Sequence, residues 1–213
     1  MTLNQLSRSK LLIDETLTPD QSLILVEPHH KYFDKKRNRF IPRSVSSIVT
    51  GESTSLYRSE AMIRGTAIHE HLENWWNTGL LPNAGEYQPW IDSFVNYPNL
   101  EKWRALAVEL ALADRKHDIA GTLDLIVKHV TTGRIALCDY KTKDKEFKKG
   151  NHRKQMGGYL SLLQENFPGF HVDTVRIFWI SPDETTTSEY DPLDCLEQYN
   201  KARNHYFSKQ LPF

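Results

Sequence analysis

Two aspartates and a lysine stand where charge is costly. Asp124 lies inside "GTLDLIVKHV", and Asp139 and Lys141 lie inside "RIALCDYKT", two apolar runs joined by "TTG". Each run reads as a strand. An unpaired charge in a buried strand costs several kcal/mol. Residues two apart on a strand share a face, so Asp139 and Lys141 point one way and Tyr140 the other. A tight turn near Thr132 makes the two runs antiparallel neighbours and sets Asp124 across from Asp139 or Tyr140. Converging carboxylates repel unless one is protonated or a cation lies between them, and a hard divalent ion is the common solution. A lysine beside such an ion can orient water or stabilise charge developing on a phosphoryl oxygen. For D-x-K taken alone, a surface Asp–Lys pair on a strand edge is the plain alternative.

The elements that would position these groups follow from periodicity. Leu23 to Val26 is a short apolar run suited to an edge strand. "KYFDKKRNRFIPRSVSSIV" alternates aromatic and charged residues around "DKKRN" and predicts a hairpin from about Tyr32 to Ile41, with a cationic, solvated tip. Between Leu56 and Asn77, Ile68, Leu72, Trp75 and Trp76 recur at helical spacing, with a restart at Gly65 and a stop at "NTG". A shorter helix is expected from Gln88 to Asn96. "KWRALAVELALAD" precedes the two aspartate-bearing runs, and "RKHD" and "TTG" are turn-like, so three strands form an antiparallel meander. "HRKQMGGYLSLLQENF" reads as a helix despite two glycines that each cost about 1 kcal/mol. "FHVDTVRIFWIS" reads as a strand and "LDCLEQYNKARNHYFSK" as a closing helix. The order is helix, three strands, helix, strand, helix. Of the five tryptophans, Trp75, Trp76, Trp90 and Trp103 suit a core better than base-stacking platforms.

Composition narrows the class without naming a partner. The 213 residues are 39% hydrophobic, enough for one core, and no linker divides them. Twenty-seven basic residues balance 27 acidic ones, so a nucleic-acid surface would have to come from local clustering. Cys138 and Cys195 are too few for a four-thiolate metal site, which points to a reducing compartment. "MTLNQLSRSKLLIDE" lacks the apolar region of a signal peptide, and no apolar run approaches the ~20 residues of a membrane span. A cytoplasmic protein without membrane attachment is expected.

"GTLD" followed by "CDYKT" resembles the core of the PD-(D/E)XK nuclease superfamily, with Asp139, Tyr140 and Lys141 in the (D/E)-X-K place. "RGTAIHEHLE" is similar to the histidine-bearing helix of its RecB-like exonuclease branch, and "QMGGY" to the Q-x-x-x-Y element, here Gln155 and Tyr159. "IPRSVSSIV" resembles the segment before that helix in viral and mitochondrial genome maintenance exonucleases. The resemblance runs from about Phe40 to Ser181, with all four elements in order. It implies a restriction-endonuclease-like α/β (α+β) fold, a mixed central sheet flanked by helices in αβββαβ order. Residues 1–213 form one nuclease domain on this reading: an N-terminal extension with the hairpin (1–45), the nuclease core (46–181) and a C-terminal helix (182–213).

The resemblance also assigns roles. His69, Asp124, Asp139 and the Tyr140 backbone carbonyl would hold Mg2+ or Mn2+, with Lys141 as the catalytic lysine. Glu109 is a further candidate, either as a ligand or orienting Lys141. Glu73, one helical turn after His69, could hold a second metal or a water, although such a glutamate is more often only solvated. Gln155 and Tyr159, four apart, share a helix face and in the family this face abuts the active site and the DNA strand. The run Lys143, Lys145, Lys148, Lys149, Arg153 and Lys154 directly after Lys141 reads as a phosphate-contacting loop. Removing Asp124 or Asp139 should relieve repulsion and spare the fold.

The function expected is metal-dependent exonuclease action on single-stranded or end-bearing DNA, in recombination, repair or viral DNA replication, alongside replication or recombination proteins. No P-loop "GxxxxGK[ST]" is present, so helicase action would need a partner. A structure-selective or sequence-specific endonuclease on the same core is one alternative. A catalytically inactive DNA-binding module is the other, against which the joint presence of His69, Asp124, Asp139 and Lys141 argues.

Overall fold

The computed structural model describes residues 17–26, 31–51, 59–143 and 151–209. Strands β1 (Leu23–Val26), β2 (Lys31–Asp34) and β3 (Arg39–Ile41) form a small antiparallel sheet in which Tyr32 pairs with Ile41, as the hairpin alternation predicts. Its basic tip, Lys35 to Phe40, is exposed as expected, and the base of the hairpin is tied to the sheet by ion pairs. Arg115 Nε donates to Asp34 Oδ2 at 2.6 Å, its Nη2 pairs with Asp20 Oδ2 at 2.7 Å, and Arg39 Nη2 reaches Asp118 Oδ1 at 2.6 Å. Asp34 is fully buried, and the hydrogen bonds from Arg115 hold its carboxyl below the ordinary aspartate value.

After β4 (Arg43–Ser44) comes the short helix α1 (Val45–Thr50), opened by a capping box between Ser44 and Ser47. Helix α2 (Glu60–Thr78) is capped by Ser59 and stopped by Gly79, whose φ of 71° suits a residue without Cβ. It runs through Gly65 without a break, and it buries Ile68, Leu72, Trp75 and Trp76. The beginning of the predicted helix, 56–58, lies outside the described residues. Helix α3 (Gln88–Val95) buries Ile91, Phe94 and Val95.

The meander forms as expected: β5 (Trp103–Asp114), β6 (Ile119–His129) and β7 (Ile135–Thr142) are successively antiparallel. Helix α4 (Arg153–Asn166) leads to β8 (Thr174–Ile180), which pairs parallel to β7. Strand β9 (Thr185–Tyr190) pairs antiparallel to β8 before the closing helix α5 (Pro192–Ser208). The six-stranded sheet is therefore mixed, with order β4-β6-β7-β8-β9 and β5 on the other edge of β6. Among the described residues, no helix is long and apolar enough to cross a membrane.

Helices cover both faces. Val45 and Ile48 of α1, Met156 and Leu160 of α4 and Tyr199 of α5 close over Leu137, Ile177 and Trp179. On the other face α2 and α3 cover Cys138, Tyr140 and Phe178, with Trp75, Trp76 and Trp103 buried in that core. Further along the sheet, Leu23, Tyr32 and Ile41 of the hairpin pack on Ala113 and Ala120. The two helix-interior glycines have a packing reason. A Cβ on Gly157 would lie 2.0 Å from the Cys195 carbonyl oxygen, and one on Gly158 would lie 2.4 Å from Val45 Cγ1. Their low helix propensity is offset by letting α5 and α1 approach the α4 backbone.

Gly157→Ala should accordingly destabilise the protein by about 1–3 kcal/mol, although alanine is the better helix former. A urea midpoint equal to that of the unchanged protein would show that α4 and α5 can separate freely.

Candidate active site

The candidate site lies where the sheet forks. One edge of β6 pairs with β5 along most of its length, while the other is shared by β4 at Ile119–Ala120 and by β7 from Leu125 onward. The β6–β7 ladder ends at Leu125↔Cys138, in the register that sets Asp124 opposite Asp139. Beyond that rung the Asp124 side chain takes over. Its Oδ2 accepts the Tyr140 N–H at 2.8 Å, so a carboxylate replaces a backbone carbonyl as the link between the strands. Tyr140 is held from two further directions: His69 Nε2 lies 3.2 Å from its carbonyl oxygen, and Trp76 Nε1 donates to its hydroxyl at 2.8 Å. Both residues come from α2, which is thereby fixed against β7.

Across β6 from β7, Glu109 faces Asp124, between the pairs Val108↔Leu125 and Leu110↔Leu123. Its φ is 46°, in the left-handed region, within an otherwise extended strand. Such a conformation costs about 1–3 kcal/mol for a residue with a side chain and persists only where surrounding structure enforces it. Side-chain alternation shifts at the same level: Leu123 packs in the core beneath α4, while Leu125, two residues on, packs beneath α2. This irregularity brings Glu109 and Asp124 to one place. Ligand atoms of His69, Glu109 and Asp124 all lie within 4.8 Å of one another.

His69 Nδ1 faces Glu109 Oε1 at 3.8 Å and Asp124 Oδ2 at 3.6 Å. Burial alone would lower the imidazole pKa, but the Asp124 charge and the hydrogen bond and charge of Glu109 lift it to about 9. Burial, then the neighbouring Asp139, push the Asp124 carboxyl upward, against the pull of His69. One imidazole and two carboxylates at this spacing form a donor set that suits a divalent cation, which would replace the imidazolium proton as the balancing charge. Glu73, one turn beyond His69, is half-buried, and burial followed by the charges of Glu109 and Glu70 raises its carboxyl.

Asp139, 1% exposed, stands beside this trio and pairs instead with Lys141, whose Nζ lies 2.6 Å from its Oδ2. Burial disfavours the ammonium, but Asp139 and Asp124 raise its pKa overall. The lysine is therefore a cation, suited to stabilising negative charge and not to accepting a proton. Gln155 Nε2 donates to the buried Tyr159 hydroxyl at 2.9 Å, so the predicted pair does share one face of α4. Burial, followed by the charges of Asp139 and Asp124, raises the Tyr159 phenol well above its ordinary value.

The basic run is less available than its sequence suggests. Lys145, Lys148 and Lys149 lie outside the described residues. Lys143 Nζ is 3.4 Å from Glu184, and Arg153 Nε is 2.8 Å from Asp194 while its guanidinium covers the Tyr190 ring at 4.5 Å. Lys154 is exposed. One neighbour was not singled out in the sequence. His152, just before α4, has its imidazole pKa lowered by burial and then by the Lys141 charge, with Asp139 and Gln155 pulling the other way. A histidine in a polar loop carries no periodic signal that could have marked it.

A family model described as PD-(D/E)XK nuclease superfamily matches residues 92–209. No curated protein matches the chain. Among solved structures, the crystal structure of SSO0001 is similar over 79% of this chain and 76% of its own, at 19% identity and a TM-score of 0.36.

The His69 imidazole should titrate near pH 9 in metal-free protein, followed by NMR, and Glu109→Gln should lower that value by removing a charge and an acceptor. Because the folded pKa exceeds the ordinary 6.5, the associated stabilisation is complete below about pH 6.5 and fades as pH rises through about 9. Titration near 6.5 in both proteins would show that the trio does not assemble. Glu109→Gly should relieve the left-handed strain and raise stability by roughly 1 kcal/mol while weakening metal affinity. A lower urea midpoint for this variant would refute the strain.

Proposed function

The chain belongs to the PD-(D/E)XK nuclease superfamily, and from that premise we propose that it is a RecB-like, Mg2+- or Mn2+-dependent DNA exonuclease. The observation that carries this reading is the convergence of a helical histidine, His69, with Glu109 and Asp124 at the fork of the sheet. A histidine on the preceding helix and Gln155–Tyr159 on the following one are the features that resemble the RecB-like branch and viral and mitochondrial genome maintenance exonucleases. We read residues 1–213 as one nuclease domain acting inside the cell on DNA ends in recombination, repair or viral replication.

Each residue then has a task. His69, Asp124 and Glu109 hold the metal, with Asp139 and the Tyr140 carbonyl completing the protein's contribution. A bound divalent cation would supply charge neutralisation at the phosphate and acidify an attacking water. Lys141, kept protonated by Asp139, is placed to stabilise the negative charge that grows on the phosphoryl oxygens. Gln155 donates toward Tyr159 and so holds the phenol beside the two aspartates, where either group can meet a strand phosphate. Trp76, through the Tyr140 hydroxyl, keeps the Asp139–Lys141 segment from rotating. Lys154 and the loop before it contact the DNA backbone without reading bases.

The test compares an end-labelled linear single strand, its duplex and a covalently closed single-stranded circle, each with Mg2+ or Mn2+. Degradation of the linear strand with the circle intact is expected. Equal loss of circle and linear strand would hand the assignment to an endonuclease. Lys141→Ala should reduce turnover by ~10²-fold or more while DNA affinity changes little. Unchanged turnover would remove the lysine from the chemistry, and no cleavage by the unaltered protein with either metal would leave only a DNA-binding module.

A further inference from the structure

A cationic cavity lies at the β6–β7 turn end of the sheet, away from the hairpin. Tyr97, Lys102, Trp103, His129, Arg134 and Arg176 line an open cavity of about 330 Å³. His129 is ~16 Å along β6 from Asp124 at roughly 3.3 Å per residue, so the cavity is separate from the carboxylate cluster. No carboxylate lines it.

The cations differ in how they are held. The Arg176 guanidinium covers the buried Trp103 ring at 4.4 Å, and its Nη2 pairs with Glu189 at 2.7 Å, while its buried Nε has no hydrogen-bond partner. A buried guanidinium N–H left unpaired is costly, so Arg176 keeps hydrogen-bonding capacity beyond its Glu189 pair. Lys102 and Arg134 are exposed and have no ion-pair partner among the described residues. His129 Nδ1 accepts the N–H groups of Thr131 and Thr132 at 3.3 and 3.2 Å, which places the ring proton on Nε2 as a donor. Trp103 packs edge-to-face on His129 at 4.9 Å and keeps it in place.

Two unpaired cations, Lys102 and Arg134, with the Glu189-paired Arg176 and an imidazole donor beside them, make a receptor for an oxyanion. The volume exceeds that of a lone phosphate and falls within the ~300–1,000 Å³ of small-molecule sites. Trp103 is too deeply buried to offer a stacking face, so recognition falls on the phosphate and not on the base. We propose that this pocket binds the phosphate of a nucleotide, contributed either by a free mononucleotide or by a DNA strand. The proposal does not rest on nuclease activity, and its test needs none.

Calorimetric titration of the full chain in EDTA, with 5′-dAMP and with deoxyadenosine, reads the site directly. Saturable binding of 5′-dAMP is expected, with deoxyadenosine far weaker. The double variant Lys102→Ala, Arg134→Ala alters only exposed side chains and should weaken 5′-dAMP binding about tenfold or more. His69→Ala should leave it unchanged. Displacement of 5′-dAMP by a short single strand would identify strand phosphates as the source, and failure to displace would identify the free nucleotide. Three results would each overturn the proposal: no binding of 5′-dAMP, equal binding by the double variant, or equal binding of deoxyadenosine.

Discussion

One hydrogen bond organises the centre of the molecule: the buried Asp124 carboxylate accepting the Tyr140 N–H. The strands part at that point, because β4 takes the edge of β6 that β7 leaves. Without a rung there, nothing in the β6–β7 ladder would fix the rotation of the Asp139–Lys141 segment. With it, Tyr140 is tied by its N–H to β6 and by its carbonyl and hydroxyl to α2. The same link revises what loss of Asp124 would do. Removing the charge relieves repulsion, but it also strands a buried N–H, at about 1–3 kcal/mol. Asn is the substitution that keeps the acceptor.

Around this link, like charges are gathered before any ligand arrives, and two internal cations make that tolerable. Lys141 balances Asp139, and protonated His69 balances Asp124 and Glu109. The polar groups are thus already oriented, so little reorganisation remains when a phosphate enters. Glu109 adds stored strain to the same place, and the overlying hairpin supports it: the Tyr32 hydroxyl meets Thr122 Oγ1 at 3.0 Å, two residues before Asp124.

Much of this was legible in the sequence. Three apolar runs with turn residues between them gave the meander, and the short "TTG" turn fixed its register closely enough to oppose Asp124 and Asp139. Helix α2 was readable because Ile68, Leu72, Trp75 and Trp76 form one apolar stripe. Strand β9 was not, since "TTTSEY" has no apolar alternation and owes its extension to pairing with β8. The six residues of α1 are too few to show a period. The left-handed Glu109 leaves no trace in a one-dimensional pattern, because a glutamate there is chosen for its carboxylate and not for its backbone preference. The partners of Lys143 and Arg153, namely Glu184 and Asp194, come from distant segments, so a run that looks like free positive charge is partly neutralised.

The Arg115 clamp has a bearing on the order in which the chain folds. It joins β2 to the β5–β6 turn across 81 residues of sequence, and the Tyr32–Thr122 contact spans 90. The β5–β6–β7 meander, by contrast, closes through short local turns. Loop-closure entropy grows with the separation joined, so local pairings form first and the hairpin docks onto a sheet already assembled. The wall that steadies Glu109 and Asp124 is therefore among the last parts added. Acquisition of a competent site should lag behind acquisition of secondary structure during refolding.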